Sequence, residues 1–114
     1  MTALYGIANC DTVKKARGRL DAAGVGYVFH DFKKVGVDPA RLDAWLAHVG
    51  WEALLNRAGT TFRKLTDDDR ADLDGAKART LMLAYPSLIR RPIVEHAGGV
   101  LVGLKPAEWT AAGL

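Results

Sequence analysis

"LYGIANCDTVKKA", Leu4–Ala16, is the stretch whose reading decides the fold. An apolar run stops at Gly6–Ile7, and Asn9-Cys10-Asp11-Thr12 follows. From Thr12 onward Val13, Ala16, Leu20 and Ala23 recur at steps of three and four, with Lys14, Lys15, Arg17 and Arg19 between them. That spacing predicts a helix with one apolar face. "TALYGI", Thr2–Ile7, reads as the strand before it. The only cysteine of the chain therefore sits on a strand-to-helix turn.

Outward from that turn, Gly24 and Gly26 close the helix, and "YVFHDF", Tyr27–Phe32, is β-branched and aromatic enough for a second strand. Strand, helix and strand within some thirty residues form a βαβ unit with parallel strands. The middle reads as helical. Asp38-Pro39 is an N-cap followed by proline, and Leu42, Trp45, Leu46 and Val49 line one face before Gly50. After the short piece "WEALL", Asn56–Leu65 reads as a Gly- and Thr-rich loop. Thr66 caps an acidic first turn, Asp67-Asp68-Asp69, as the helix dipole favours. A further helix runs from Gly75 to Tyr85, and Pro86 stops it. Near the end "PIVEHA" and "VLVGL" flank Gly98-Gly99, a tight-turn signal for an antiparallel hairpin. Pro106 then opens a last helix over Ala107–Ala112.

The order βαβ, helices, ββα predicts an α/β protein of the thioredoxin-like fold, a four-stranded mixed sheet. The expectation is a single domain over 1–114 with an all-helical insertion over approximately 38–90. In that fold the reactive cysteine follows the first strand and starts the first helix, which is where Cys10 stands.

Bulk properties narrow the function classes. With 49% hydrophobic and 25% charged residues in 114, the chain is an ordinary globular domain rather than a disordered one. Apolar runs such as "TLMLAY" are far too short to span a bilayer, and the N-terminus lacks the layout of a signal peptide, so a cytoplasmic protein with no membrane partner is expected. A net charge of +3 suits anionic partners without calling for nucleic acid. A single cysteine excludes a disulfide within the chain, and with Val13 three residues beyond Cys10 there is no CxxC. Any redox partner sulfur must come from another molecule. His30, His48 and His96 lie in unrelated segments, so no metal site is expected. No P-loop or dinucleotide fingerprint is present, so no nucleotide is expected either.

The position of Cys10 bears directly on its chemistry. Most lone cysteines are small buried hydrophobes. A helix N-terminus, however, offers unpaired N–H groups and about half a positive charge, and both stabilise the thiolate, which is the nucleophile. Lys14, one turn on, is expected to add to this. Asp11 opposes it but can point to solvent, where its field is screened. Asn9 and Thr12 bracket the thiol; each either donates a hydrogen bond to the sulfur or caps the helix, with capping the expectation for Thr12.

"YGIxxCDTxKKAxxxL" at the start, "LLNRAGTTFRKL" in the middle and "LMLAYPSLIRRPIVE…LVGLKP" near the end resemble the ArsC/Spx family, and most closely its YffB-like branch of glutathione-dependent thiol reductases. The resemblance covers nearly the whole chain. It implies that Cys10 is the nucleophile and that basic residues cradle an anionic substrate. It also implies that Arg91 and the cis proline Pro92 face the cysteine, the backbone there pairing with the peptide part of a bound thiol such as glutathione. Where the arsenate reductases of the family carry a second anion-binding arginine, this chain has Lys105, which keeps the charge but lacks the planar fork. A third family arginine falls on either Arg57 or Asn56. Arg90 and the loop residues Thr60, Thr61, Arg63 and Lys64 are either part of the site or solvated surface.

The resulting expectation is a monothiol oxidoreductase with glutathione as co-substrate. Cys10 is its nucleophile, and Asn9, Thr12, Lys14, Arg57, Arg91, Pro92 and Lys105 contact glutathione or substrate. Two other functions fit the resemblance: an Spx-like regulator that binds RNA polymerase, and an arsenate reductase proper.

Overall fold

The computed structural model describes residues Thr2–Leu114. They divide into two compact units, one formed by 2–35 with 91–114 and the other by 36–90.

The first unit contains β1 (Thr2–Gly6), α1 (Asp11–Ala22), β2 (Tyr27–Asp31) and α2 (Phe32–Val35). The chain returns to it through β3 (Ile93–His96), β4 (Gly99–Val102) and α8 (Pro106–Ala111). The sheet order is β2-β1-β3-β4. β1 pairs parallel with β2, Gly6 opposite Asp31, and antiparallel with β3, Tyr5 opposite Ile93. β3 and β4 form the antiparallel hairpin. This is the mixed four-stranded α/β sheet of the thioredoxin-like fold.

Alternation along β1 and β3 places Leu4 and Val94 on one face of the sheet. There they bury with Val13, Ala16 and Leu20 of α1 and Trp109 of α8. Removal of this apolar surface from water is the main favourable term for the unit. The Trp109 indole N–H donates to the Gly103 carbonyl at 3.0 Å, so its polar edge is satisfied while its rings are buried. Arg19 reaches the end of the chain, donating to the Leu114 carbonyl at 3.0 Å and to Thr110 Oγ1 at 3.1 Å.

The second unit is helical: α3 (Pro39–Val49), α4 (Trp51–Leu54), α5 (Thr60–Arg63), α6 (Asp67–Arg70) and α7 (Gly75–Ala84), then a 3₁₀ turn at Pro86–Leu88. Its buried positions include Leu42, Trp45, Leu54, Ala78, Leu81 and Met82. Caps fix the helix starts. Asp38 accepts from the Ala40 N–H, Thr66 Oγ1 from the Asp69 N–H and Asp74 from the Lys77 N–H. Two hydrogen bonds from Arg79 to the Asp43 carboxylate, 2.6 and 3.2 Å, tie α7 to α3.

Three elements differ from the sequence expectation. β2 stops at Asp31, and Phe32 opens α2 instead of ending the strand, because the Asp31 carboxylate accepts the Lys33 and Lys34 N–H groups and so starts a helical turn. The segment read as a loop over Asn56–Leu65 contains α5, four residues long and too short to show a period. α1 begins at Asp11 with Cys10 as its N-cap, so Thr12 is not the cap. Among the described residues, no helix is long and apolar enough to cross a membrane.

Candidate active site

β1 ends at Gly6 and the chain turns through Ile7, Ala8 and Asn9 into Cys10. The backbone of Cys10 is extended, with φ −134° and ψ 124°, the geometry of a residue half inside a helix. Its carbonyl accepts the Lys14 N–H at 2.9 Å, the first helical bond of α1. The side chain is left at the N-terminal end of the helix, half-buried against the apolar cluster of Leu4, Val13 and Trp109.

Two contacts set this placement. Gly6 leaves no room for a side chain: a Cβ there would stand 2.7 Å from Val13 Cγ2. The strand end and the first turn of α1 thus meet at van der Waals distance. Asp31, on the neighbouring strand, accepts the Ala8 N–H through Oδ2 at 3.1 Å, within the turn that leads to the thiol.

Burial pushes the Cys10 thiol up, since a charged sulfur loses water there. Hydrogen bonds from the Val13 N–H, the Arg91 guanidinium and the Thr12 N–H, with the charge of Arg91, outweigh it. The thiol lies below its ordinary range as a result. Arg91 comes from a distant part of the sequence but a near part of the sheet. β3 runs antiparallel to β1, so the residues that precede Ile93 lie beside the end of β1. The Arg91-Pro92 peptide is cis, and Pro92 is buried.

The structure thus brings Cys10, the Thr12 and Val13 amides and Arg91 together. The cation at the sulfur is Arg91; Lys14, expected in that role, is exposed on the first turn of α1. Thr12 acts through its main-chain N–H. Asn9 is exposed on the turn beside the thiol. Lys105 precedes α8 and pairs with Glu108 at 3.8 Å, both side chains largely in solvent. Arg57 belongs to the second unit, its guanidinium 5.6 Å from the centre of the Trp51 ring. Asn56, its neighbour, donates its N–H to the Leu88 carbonyl at 2.7 Å and accepts the Ala58 N–H at 3.1 Å. Arg90 is exposed, and its N–H donates to the Leu54 carbonyl at 2.8 Å. Among the described residues, no group of three or more His, Cys, Asp or Glu is arranged to hold a metal ion.

Asp31 and Gly6 escaped the reading of the sequence as parts of this site. The signal for Asp31 was a carboxylate closing the strand parallel to β1, opposite the residue where the nucleophile turn departs. The signal for Gly6 was a glycine at the end of an otherwise apolar strand.

Comparison with known proteins adds to this geometry. The profile of the ArsC family matches residues 5–112. An uncharacterised protein of Haemophilus influenzae is 37% identical over 112 residues, 98% of each chain. Among solved structures, a YffB protein is 56% identical over 98% of each chain with a TM-score of 0.94. An arsenate reductase (ArsC) related protein from Brucella melitensis is 55% identical, covering 96% of this chain and 92% of its own, with a TM-score of 0.77. An arsenate reductase from Vibrio cholerae shares the fold, with a TM-score of 0.82 at 19% identity over 99% of this chain and 97% of its own.

Proposed function

This chain belongs to the ArsC family of thiol oxidoreductases, and from that premise we propose that it is a monothiol, glutathione-dependent reductase of disulfides with Cys10 as nucleophile. The observation that carries the reading is the environment of the sulfur: a helix N-cap with two backbone N–H groups and the Arg91 guanidinium directed at it. Such surroundings favour thiolate, and thiolate is the attacking species.

The cycle follows from having one thiol. The Cys10 thiolate attacks the glutathione sulfur of a glutathionylated substrate; a new S–S bond forms to Cys10 and the substrate sulfur leaves with the electron pair as a thiolate. A second glutathione thiolate then attacks the glutathione sulfur of that mixed disulfide. Glutathione disulfide forms, and the Cys10 thiolate is regenerated. Net, the substrate sulfur is released as a thiol and one free glutathione is consumed, its sulfur ending in a disulfide with the glutathione that the substrate carried. Arg91 holds a carboxylate or the sulfur of the anionic partner, and the backbone at Arg91-Pro92 is where its peptide part pairs. Asn9, exposed beside the thiol, contacts the bound tripeptide. Lys105 carries its charge without the two-pronged grip that an oxyanion favours, and Glu108 engages it, which weighs against arsenate as the preferred substrate.

The test is incubation with glutathione disulfide followed by intact-mass measurement of wild type and Cys10→Ser. One glutathione on the wild-type chain, none on the variant, and release by fresh glutathione are expected. A wild-type chain that stays unmodified contradicts the proposal.

A further inference from the structure

Asp31 closes β2 directly opposite Gly6, the last residue of β1. Beyond that pair the two chains separate: β1 turns toward Cys10 and β2 runs into α2. The Asp31 carboxylate bridges the separation. Its Oδ2 accepts the Ala8 N–H at 3.1 Å. Its Oδ1 accepts the Lys33 N–H at 3.0 Å and the Lys34 N–H at 3.3 Å. One oxygen therefore serves the nucleophile turn and the other the start of α2. Partial burial pushes the Asp31 carboxyl up, but these three hydrogen bonds, with the nearby Lys34 charge, together outweigh it and hold the group below its ordinary range.

We propose that Asp31 is a positioning residue for the nucleophile: by holding Ala8 it fixes the turn that delivers Cys10 to the N-terminus of α1 and to Arg91. The inference rests on the proposed role of Cys10. Its physical basis is the direction dependence of hydrogen bonds, which weaken steeply as the donor swings off line. The Val13 and Thr12 amides belong to a helix and cannot follow a shifting sulfur, so the turn must be held. An aspartate suits this task because both oxygens accept. An asparagine has one acceptor and would turn its NH₂ toward either Ala8 or the α2 amides, donor against donor.

The sign of the effect separates this role from a simple charge effect. A carboxylate near a thiolate repels it, so by field alone removal of Asp31 would lower the thiol pKa. Loss of positioning raises it. The experiment is the pH dependence of Cys10 alkylation by iodoacetamide in wild type, Asp31→Ala and Asp31→Asn, with amide exchange of Ala8 followed by NMR. Wild type is expected to titrate below a free cysteine, and both variants above wild type, with Ala8 exchange faster by at least about tenfold. If Asp31→Ala does not fold, Asp31→Asn carries the test. Folded variants whose thiol titrates at or below the wild-type position, with Ala8 exchange unchanged, overturn the inference and leave the role of Cys10 standing. A wild-type thiol that titrates like a free cysteine overturns the role of Cys10 itself, and the inference with it.

Discussion

Cys10 couples the chemistry of the site to the stability of the fold. Its folded thiol lies below the ordinary range, while in the unfolded chain it returns to about 8.5. A group with a depressed folded pKa contributes stability that is full above the unfolded value and is lost as pH falls through the folded one. The stability of wild type relative to Cys10→Ser should therefore rise with pH through that window and level off above about 8.5. Urea unfolding of both proteins across the window measures this. A flat difference, or one that falls with pH, contradicts the site electrostatics. At this scale the nucleophile was legible, because a strand signal, a lone cysteine and a helical period are adjacent in the chain. Its cation was only half legible. Lys14 is close in sequence and exposed in space; Arg91 is remote in sequence and hydrogen-bonded to the sulfur. Local spacing weighs neighbours along the chain, whereas the field at the sulfur depends on neighbours across the sheet. The resemblance to a known family, not the spacing, pointed to Arg91.

Among the elements, the junction of β1 and α1 has the least tolerance. A methyl group at Gly6 would stand 2.7 Å from Val13 Cγ2 and 3.2 Å from Cγ1, and Val13 is fully buried. Valine is stiff about χ1 and cannot turn aside easily. Gly6→Ala should destabilise the protein by about 1–3 kcal/mol, the usual range for overpacking. Pairing it with Val13→Ala should recover part of the loss, because the clash is between those two side chains. Chemical denaturation of both single variants and the double variant gives the coupling; strict additivity would show that the contact is not the cause. The long elements were legible because α1, α3 and the hairpin carry clear periods and stop signals. The four-residue helices α2 and α5 were not, since one turn has no period to read. Asp31 shows the same limit: a carboxylate at a strand end looks like a loop residue until the register places it beside Ala8.

Over the whole molecule, the sheet order β2-β1-β3-β4 is what assembles the site. With β1 central, its C-terminal end is flanked by β2 on one side, which supplies Asp31, and by the start of β3 on the other, which supplies Arg91. The order of elements along the chain foretold a mixed sheet with the cysteine after its first strand. It could not show that one carboxylate and one guanidinium would converge on the same turn from opposite sides, because that depends on register. The central claim is that this convergence holds the Cys10 thiol below its ordinary range, and a direct ultraviolet titration of the thiolate in wild type and Arg91→Ala tests it. The account predicts a wild-type midpoint below the free-cysteine value of about 8.5 and a higher midpoint in the variant. A wild-type midpoint at or above that value, or one that the substitution leaves in place, would contradict it.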